Sequence, residues 1–285
     1  MIKTPLSTVI GGAFWTPSAT ILGGASKTFN QLIKSLFANN EQGFAYDPND
    51  LSTMFQNPAG TIPVTGAGQA VGLIKDKSGR NNHAYQTVSA SRPILQRNAT
   101  TGAYYLAFDG ADDFLQTNSI DFTATDKVSL FAGVRKLSDA VGAVVVELSA
   151  SIANVGTFNI QAPRTGNSYG VGVRGSTINA VDYSTYTAPI SNVISLKLIT
   201  SSTNYLGAIM GRFDGVNTAG SANSSAASIG NYGNYPLYIG RRGGTSLPFN
   251  GHIYGLIGIG RLTTDSETIA LEKSIAKNTG VTLSV

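Results

Sequence analysis

The sequence contains no cysteine, which excludes a disulfide scaffold, thiol chemistry and any cysteine-ligated metal. It also has no run of about 18 apolar residues, so we expect no transmembrane helix. Residues 1–5 lack the charged segment, apolar core and cleavage site of a secretory signal. We therefore expect the chain to be made in the cytoplasm and to leave a cell only by lysis or within a particle.

Charge is scarce as well. Only 13% of the 285 residues are charged, and the net charge of +4 is spread thinly along the chain. The only adjacent basic pairs downstream of residue 42 are Arg135-Lys136 and Arg241-Arg242. Nucleic-acid binding calls for clustered basic residues with interleaved aromatics, so we expect no nucleic-acid partner and no membrane insertion.

Catalytic constellations are missing too. A retaining glycosidase needs two carboxyl groups about 5 Å apart, and no predicted strand has a second carboxylate two or four residues from a glutamate. Asp112 and Asp113 would point to opposite sides of an extended chain. There is no H-E-x-x-H motif, and the G-x-S-x-G match at residues 166–170 (GNSYG) runs into a predicted strand rather than into the helix that a nucleophile elbow requires. We expect His83 to bond backbone and His252 to be structural. The sequence thus predicts a protein that is not an enzyme.

What the chain does contain is glycine, 33 residues of it, and many short apolar segments at regular spacing. This pattern is typical of a β sandwich. The predicted strands are residues 70–74, 104–108, 128–134, 143–148, 157–160, 169–174, 193–200, 204–213, 237–240 and 252–261.

Three helices are predicted at the two ends of this region. The first begins at Ser26 as N-cap, and an apolar stripe runs along it. The second follows Asp47 and Pro48 and reaches about Phe55. The third begins at Thr264 and ends before Gly280. The stripe of the first helix either packs on its own sandwich or docks on another chain.

Two polar turns connect the strands in the first half of the chain. Residues 76–84 (DKSGRNNHA) form one, and residues 106–115 (LAFDGADDFL) run from a strand into the Asp109-Gly110 turn. With residues 47–56 (DPNDLSTMFQ) and 247–256 (LPFNGHIYGL), they resemble the laminin-G-like branch of the concanavalin A-like jelly-roll superfamily, in the form found in bacteriophage and prophage structural proteins.

The resemblance covers residues 44 to 285. It implies a mainly β jelly-roll sandwich over residues 43–285, closed by the C-terminal helix, after an N-terminal arm and helix over residues 1–42. It also implies a non-enzymatic virion protein of the tail, with decoration of the head as one alternative. The other is a carbohydrate-binding module or glycosidase of a cellular host, although the superfamily's enzymes use a strand with two glutamates and an aspartate that this sequence lacks.

The arm is glycine-rich and has the only tryptophan. It either folds back on the domain or orders against a neighbouring virion protein or a second copy of the chain. The residues predicted for assembly are the aromatic pair of the arm and the stripe of the first helix: Phe14, Trp15, Phe29, Leu32, Ile33, Leu36 and Phe37.

The resemblance implies calcium at the sandwich rim, because many laminin-G-like domains bind it there. Five residues could supply oxygen ligands: Asp76, Asn82, Asp109, Asp112 and Asp113. The alternative, which we favour, is that Asp76 and Asp109 only stabilise turns. No other cofactor is expected.

Residues 215–235 contain no charged residue and are rich in glycine, alanine, asparagine and serine. They are predicted to form a long surface loop. Aromatic rings stack on sugar rings, while amides and aspartates bind the sugar hydroxyls. The sequence therefore predicts a site for a host surface glycan at the end of this loop and in the next turn, formed by Tyr232, Asn234, Tyr235, Arg241 and Arg242.

Overall fold

The computed structural model describes residues 27–176, 182–187, 191–200, 209–218, 221–222 and 229–284. These residues form two antiparallel sheets packed face to face, together with two helices. The predicted mainly β jelly-roll sandwich is therefore confirmed.

The strands lie in chain order as follows: β1 (Gly43–Tyr46), β2 (Met54–Phe55), β3 (Leu73–Ile74), β4 (Ala84–Tyr85), β5 (Ile94–Arg97), β6 (Tyr104–Asp109), β7 (Leu115–Asp121), β8 (Lys127–Lys136), β9 (Val144–Leu148), β10 (Thr157–Gln161), β11 (Ser168–Arg174), β12 (Asp182–Thr187), β13 (Ser191–Ile199), β14 (Ile209–Phe213), β15 (Val216–Thr218), β16 (Ser221–Ala222), β17 (Asn234–Ile239) and β18 (Asn250–Ile259). The helices are α1 (Phe29–Leu36) and α2 (Asp265–Thr279).

Sheet A has ten strands in the order β16-β12-β11-β10-β9-β17-β7-β4-β3-β2. Sheet B has the order β15-β14-β13-β8-β18-β6-β5, and β1 also pairs with β18. Strands distant in sequence therefore lie side by side, as β7 and β17 do in sheet A. This topology brings side chains from both halves of the chain onto one surface.

The core lies between the two sheets and follows from strand alternation. Every second residue of a strand points to the same face, and the inward residues here are apolar and buried, for example Leu130 of β8 and Ile160 of β10. Burial of one such side chain contributes about 1.5–3 kcal/mol. The two sheets are thus held together mainly by their inner faces.

Sheet B is covered on its outer face as well. Apolar residues such as Phe131, Val193 and Ile257 point outward there and pack against Leu271 and Ile275 of α2. The helix begins at Thr264, whose side chain and that of Glu267 form a capping box, and it ends at Gly280, where φ is 78°. The predicted C-terminal helix is confirmed.

Helix α1 packs on the same covered face. Its N-cap is Thr28, while the predicted N-cap, Ser26, lies outside the described residues. Ile33, Leu36 and Phe37 are buried in the cluster formed with α2 and sheet B. The prediction that these three residues take part in assembly is wrong, because their side chains already face their own domain.

Phe29 and Leu32 are half-buried against that same cluster, which leaves little of their side chains for a partner. The boundary predicted after residue 42 therefore separates α1 from the core to which it contributes. Phe14 and Trp15 lie outside the described residues, and their role in assembly stays a prediction.

Arg261 fastens α1 to the end of β18 and the start of α2. Its guanidinium donates to Glu41 Oε1 (2.8 Å), to both carboxylate oxygens of Glu267 (2.7 and 2.9 Å) and to the Leu36 carbonyl (3.0 Å). The last of these bonds satisfies one carbonyl at the C-terminal end of α1. The N-terminal helix is thus tied to the sandwich by polar as well as apolar contacts.

Two local predictions are wrong. Instead of a helix after Asp47 there is a 3-10 turn over Leu51–Thr53, because the carboxylates of Asp47 and Asp50 accept nearby backbone N–H groups and hold the chain in turns. The loop predicted over residues 215–235 includes strands β15 and β16 and the start of β17.

Candidate functional site

The outer face of sheet A has a row of residues that strand register places side by side. Tyr85 of β4 is opposite Gln116 of β7, and Gln116 is opposite Tyr238 of β17. The row continues through Glu147 of β9 to Asn159 of β10. We call these five residues the polar row; at about 4.8 Å per strand it is about 19 Å long.

Three members of the polar row are accessible. Tyr85, Gln116 and Tyr238 are half-buried, and the Tyr85 hydroxyl donates to Asn118 Oδ1 at 3.3 Å. The two tyrosines flank the amide, so their strands are about 9–10 Å apart. Such an arrangement offers two aromatic rings with hydrogen-bonding groups between them.

The other end of the row is closed. Glu147 and Asn159 are fully buried, and Arg242 donates from Nε to Glu147 Oε2 at 2.9 Å. Burial raises the pKa of Glu147, and the charge of Arg242 opposes that shift. The neighbours of Glu147 across the sheet are Tyr238 and Asn159, so neither adjacent strand places a second carboxylate beside it.

The predicted ligand residues are only partly on this surface. Tyr232 is 1% exposed, and its ring meets Phe158 edge-on with centroids 5.6 Å apart, so its prediction as a stacking ring is wrong. Tyr235 pairs with Ile120 and packs against the core, so it is no exposed platform either. Glycine and asparagine are frequent just before β17, so the sequence there resembles a turn and the start of the strand was not predicted.

Of the three remaining predicted residues, Arg242 contacts the polar row. Asn234 is exposed at the start of β17. Arg241 donates to the carbonyls of Asp112 and Thr245, whereas Arg242 covers the buried end of the polar row. Sequence reasoning missed Tyr85, Gln116 and Tyr238, although Tyr238 stands between the inward Leu237 and Ile239 and is therefore marked as outward.

Asp76 and Asn82 serve to build a turn. The Asp76 carboxylate accepts bonds from the backbone N–H groups of Ala45 (2.8 Å), Ser78 (2.8 Å) and Asn82 (3.0 Å), and from the Ser78 hydroxyl (2.6 Å). The Asn82 amide donates to the Gly43 carbonyl at 2.7 Å. These bonds use the oxygens of Asp76 within the protein, which favours the turn role over a metal ligand.

Asp109, Asp112 and Asp113 come together as predicted, with ligand atoms within 4.8 Å of one another. Asp109 Oδ1 accepts from the Ala111 N–H (2.8 Å), and Asp113 Oδ2 accepts from the Asp109 N–H (3.1 Å). Burial and then the nearby carboxylates raise the pKa of Asp113 to about 6. The three carboxylates are the hard oxygen ligands that calcium prefers, and the calcium site stays a prediction.

Both histidines occupy structural positions. His83 Nδ1 accepts from the backbone N–H of Asp76 at 3.1 Å. His252 stacks on Tyr105 at 4.0 Å between ring centroids, and burial, followed by the charge of Arg135, lowers its pKa to about 4. His252 therefore stays neutral at physiological pH.

The sequence matches no protein-family model and no curated protein. Among solved structures, its fold is similar to that of botulinum neurotoxin type C, whose cell entry depends on two ganglioside molecules, with 9% identity and a TM-score of 0.52. The similarity covers 85% of this chain and 53% of that one.

A second similar structure is a GH54 α-L-arabinofuranosidase, at 12% identity and a TM-score of 0.53, over 87% of this chain and 64% of that one. The chain thus spans less than two thirds of the length of either structure. At these identities the similarity shows the fold alone. Within the described residues, no helix is long and apolar enough to cross a membrane.

Proposed function

We propose that the protein is a non-enzymatic glycan-binding protein and that it binds its ligand on the outer face of sheet A. The observation that supports this most is the accessible half of the polar row, where Tyr85 and Tyr238 flank Gln116 on adjacent strands. Sugar rings have apolar C–H faces and a rim of hydroxyls. Aromatic rings match the faces, and an amide both donates to and accepts from the hydroxyls.

The size of the surface fits an oligosaccharide. An open row of tyrosines on rigid strands presents contact area at little entropic cost, because the backbone is fixed by pairing on both sides. The fold similarity to a toxin whose entry depends on gangliosides is consistent with this proposal.

Absence of catalysis is part of the proposal. Glycoside hydrolysis needs an acid and a second carboxylate on opposite sides of the scissile bond. In the described part of sheet A, Glu147 is the only carboxylate of the polar row, and Arg242 covers it. We infer that Glu147 is a positioning residue that holds Arg242 rather than a nucleophile or acid.

We further propose that the protein is a bacteriophage virion component of the tail, with other virion proteins and further copies of itself as partners. The resemblance of residues 47–115 to prophage structural proteins supports this proposal, and the apolar arm before α1 would provide the attachment. Decoration of the head is the alternative, and it predicts no affinity for any glycan.

The test is binding of the full chain to a panel of purified bacterial capsular and lipopolysaccharide O-antigen glycans, before and after Tyr238→Ala. Loss of one stacked ring should weaken binding about tenfold or more, equal to about 1.4 kcal/mol. The matched control is Tyr105→Ala, a half-buried tyrosine on the outer face of sheet B whose ring is already stacked on His252.

Equal weakening by both changes, or by Tyr105→Ala alone, would contradict the proposed site. No binding to any glycan of the panel would favour decoration. Release of reducing sugars from a panel glycan by the wild-type chain would contradict the non-enzymatic role and revive the glycosidase of a cellular host.

A further inference from the structure

A groove of about 670 Å³ lies on the opposite side of the molecule from the polar row, between α2 and strands β13 and β14. Its floor is the outer face of sheet B at Ser195 and Phe131, and its walls include Ile269 of α2 and Met210 of β14. We call it the helix groove. The volume falls within the range of small-molecule sites, about 300–1,000 Å³.

A basic side chain lies at each end of the groove, and each is paired with a carboxylate of α2. Lys197 Nζ lies 2.9 Å from Asp265 Oδ1, and the Arg212 guanidinium donates to both carboxylate oxygens of Glu272, at 2.8 and 3.0 Å. Asp265 and Glu272 are seven residues apart on α2, about 10 Å along its axis. An occupant between these two ion pairs meets no uncompensated charge.

One polar group in the floor has no hydrogen-bond partner in the part of the chain that the structure describes. The Ser195 hydroxyl is buried, with the residue 3% exposed, and its Oγ makes no hydrogen bond to the described residues. A buried hydroxyl without a partner costs about 1–3 kcal/mol. An oxygen on a ligand in the groove would satisfy it.

The other lining side chains are either aliphatic, as in Met210 and Ile269, or small and uncharged, as in Asn217, Thr218, Thr263 and Thr268. Met210 is 41% exposed although it is apolar, and its flexible thioether adapts to different shapes. The only aromatic ring that the described residues contribute to the lining is that of Phe131, which is 1% exposed and offers no face on which a sugar could stack. The lining thus suits an alkyl chain better than a glycan.

From these four observations we propose that the helix groove is a binding site for an uncharged amphiphile, a molecule with an aliphatic chain and one hydroxyl or carbonyl oxygen that bonds Ser195. This site is separate from the polar row and does not depend on the proposed glycan function.

The probe is 1-octanol, titrated into the full chain labelled with ¹³C at its methionine methyl groups. Met210 lines the groove, whereas Met54 is fully buried in the core between the sheets. The Met210 methyl signal should shift saturably while the Met54 signal stays in place. Sodium octanoate should bind at least tenfold more weakly, because its carboxylate would find only cations that are already paired.

Two variants test the contacts. Ser195→Ala should weaken 1-octanol binding about five- to tenfold, the loss of one hydrogen bond, and Ser119→Ala, an exposed serine of sheet A, should have no effect. Ile269→Trp should fill the groove and abolish the shift. An unchanged Met54 signal verifies that each variant is folded.

Absence of a saturable Met210 shift overturns the proposal, as does equal binding of octanoate. An equal affinity of the two serine variants overturns the role of Ser195. A shift that persists in Ile269→Trp places the probe elsewhere and also overturns the site.

Discussion

The two sheets of the sandwich obey the same alternation, yet their outer faces differ. On sheet B a cluster of outward residues is apolar, as with Val193 and Ile257, and two helices bury it. On sheet A the outward positions between β4 and β17 are Tyr85, Gln116 and Tyr238, which stay half-exposed. The buried side chains of the covered face contribute to the free energy of folding, whereas the partly exposed side chains of the open face contribute little to it.

This difference separates residues needed for stability from residues available for binding. A half-exposed tyrosine on a rigid strand is a poor contributor to the core and a good contact for a ligand. Substitutions on the covered face should therefore lower stability, and substitutions on the open face should lower affinity without lowering stability.

The largest expected effect is on the covered face. Ile275→Asp places a carboxylate without a partner among Phe131, Ile257 and Leu271, which should lower the free energy of unfolding by more than about 4 kcal/mol. Denaturant unfolding measures it. Gln116→Asp on the open face is the control and should change stability by less than about 1 kcal/mol; comparable losses would abolish the distinction between the faces.

The next largest effect is expected for the hydrogen bonds of Arg261, which tie α1 to the sandwich. Arg261→Met removes the bonds to Glu41, Glu267 and the Leu36 carbonyl, and it should lower the free energy of unfolding by about 2–4 kcal/mol, because two partly buried carboxylates lose their partner. Limited proteolysis should then cut within α1. Arg97→Met, at an exposed arginine of β5, should leave α1 protected.

The ion pair between Arg261 and Glu267 predicts that stability depends on pH. The hydrogen bonds from Arg261 hold the pKa of Glu267 at about 2, below its ordinary value of 4.5. A lowered folded pKa adds stability that is complete above about pH 4.5 and is lost as the pH falls towards 2. Glu267→Gln should therefore cost about 2 kcal/mol at pH 6 and progressively less below pH 4.5; a pH-independent difference would contradict this account.

The cluster of Asp109, Asp112 and Asp113 predicts a smaller pH dependence of stability, with the opposite sign. Because the folded pKa of Asp113 is raised from 3.8 to about 6, its ionisation opposes folding, and stability is lost as the pH rises through that window. Asp113→Asn should raise the free energy of unfolding by about 1 kcal/mol at pH 8 and have little effect at pH 4. Thermal melts across this range measure the difference, and destabilisation at pH 8 would contradict the prediction.

Calcium distinguishes the two roles predicted for this cluster. Heat in an isothermal titration and a higher melting temperature at millimolar calcium would indicate a metal site that Asp113→Asn should weaken. Without either signal, Asp109, Asp112 and Asp113 only stabilise their turn.

Much of the fold could be predicted from local sequence. Strands β8 and β18 are long, mostly apolar segments that are buried along most of their length, and α2 has both a capping residue, Thr264, and a terminating glycine, Gly280. The 3-10 turn after Asp50 was missed because side-chain bonds to nearby backbone groups compete with helix formation.

The candidate site was much harder to predict. Tyr85 and Tyr238 are far apart in sequence, and only the pairing of β4, β7 and β17 brings them to either side of Gln116. The local sequence pattern favoured Tyr232, which the fold buries, and Tyr235, which is half-buried against the core. Arg242 was predicted to bind ligand, but its bond to Glu147 depends on a register that no local pattern reveals.

The most direct test of the central claim is amide chemical-shift mapping of the full chain with the tightest-binding oligosaccharide of the glycan panel. The account predicts saturable shifts around Tyr85, Gln116 and Tyr238 on sheet A, and none around Tyr105, His252 or α2. Shifts confined to sheet B or its helices, with sheet A unchanged, would contradict it.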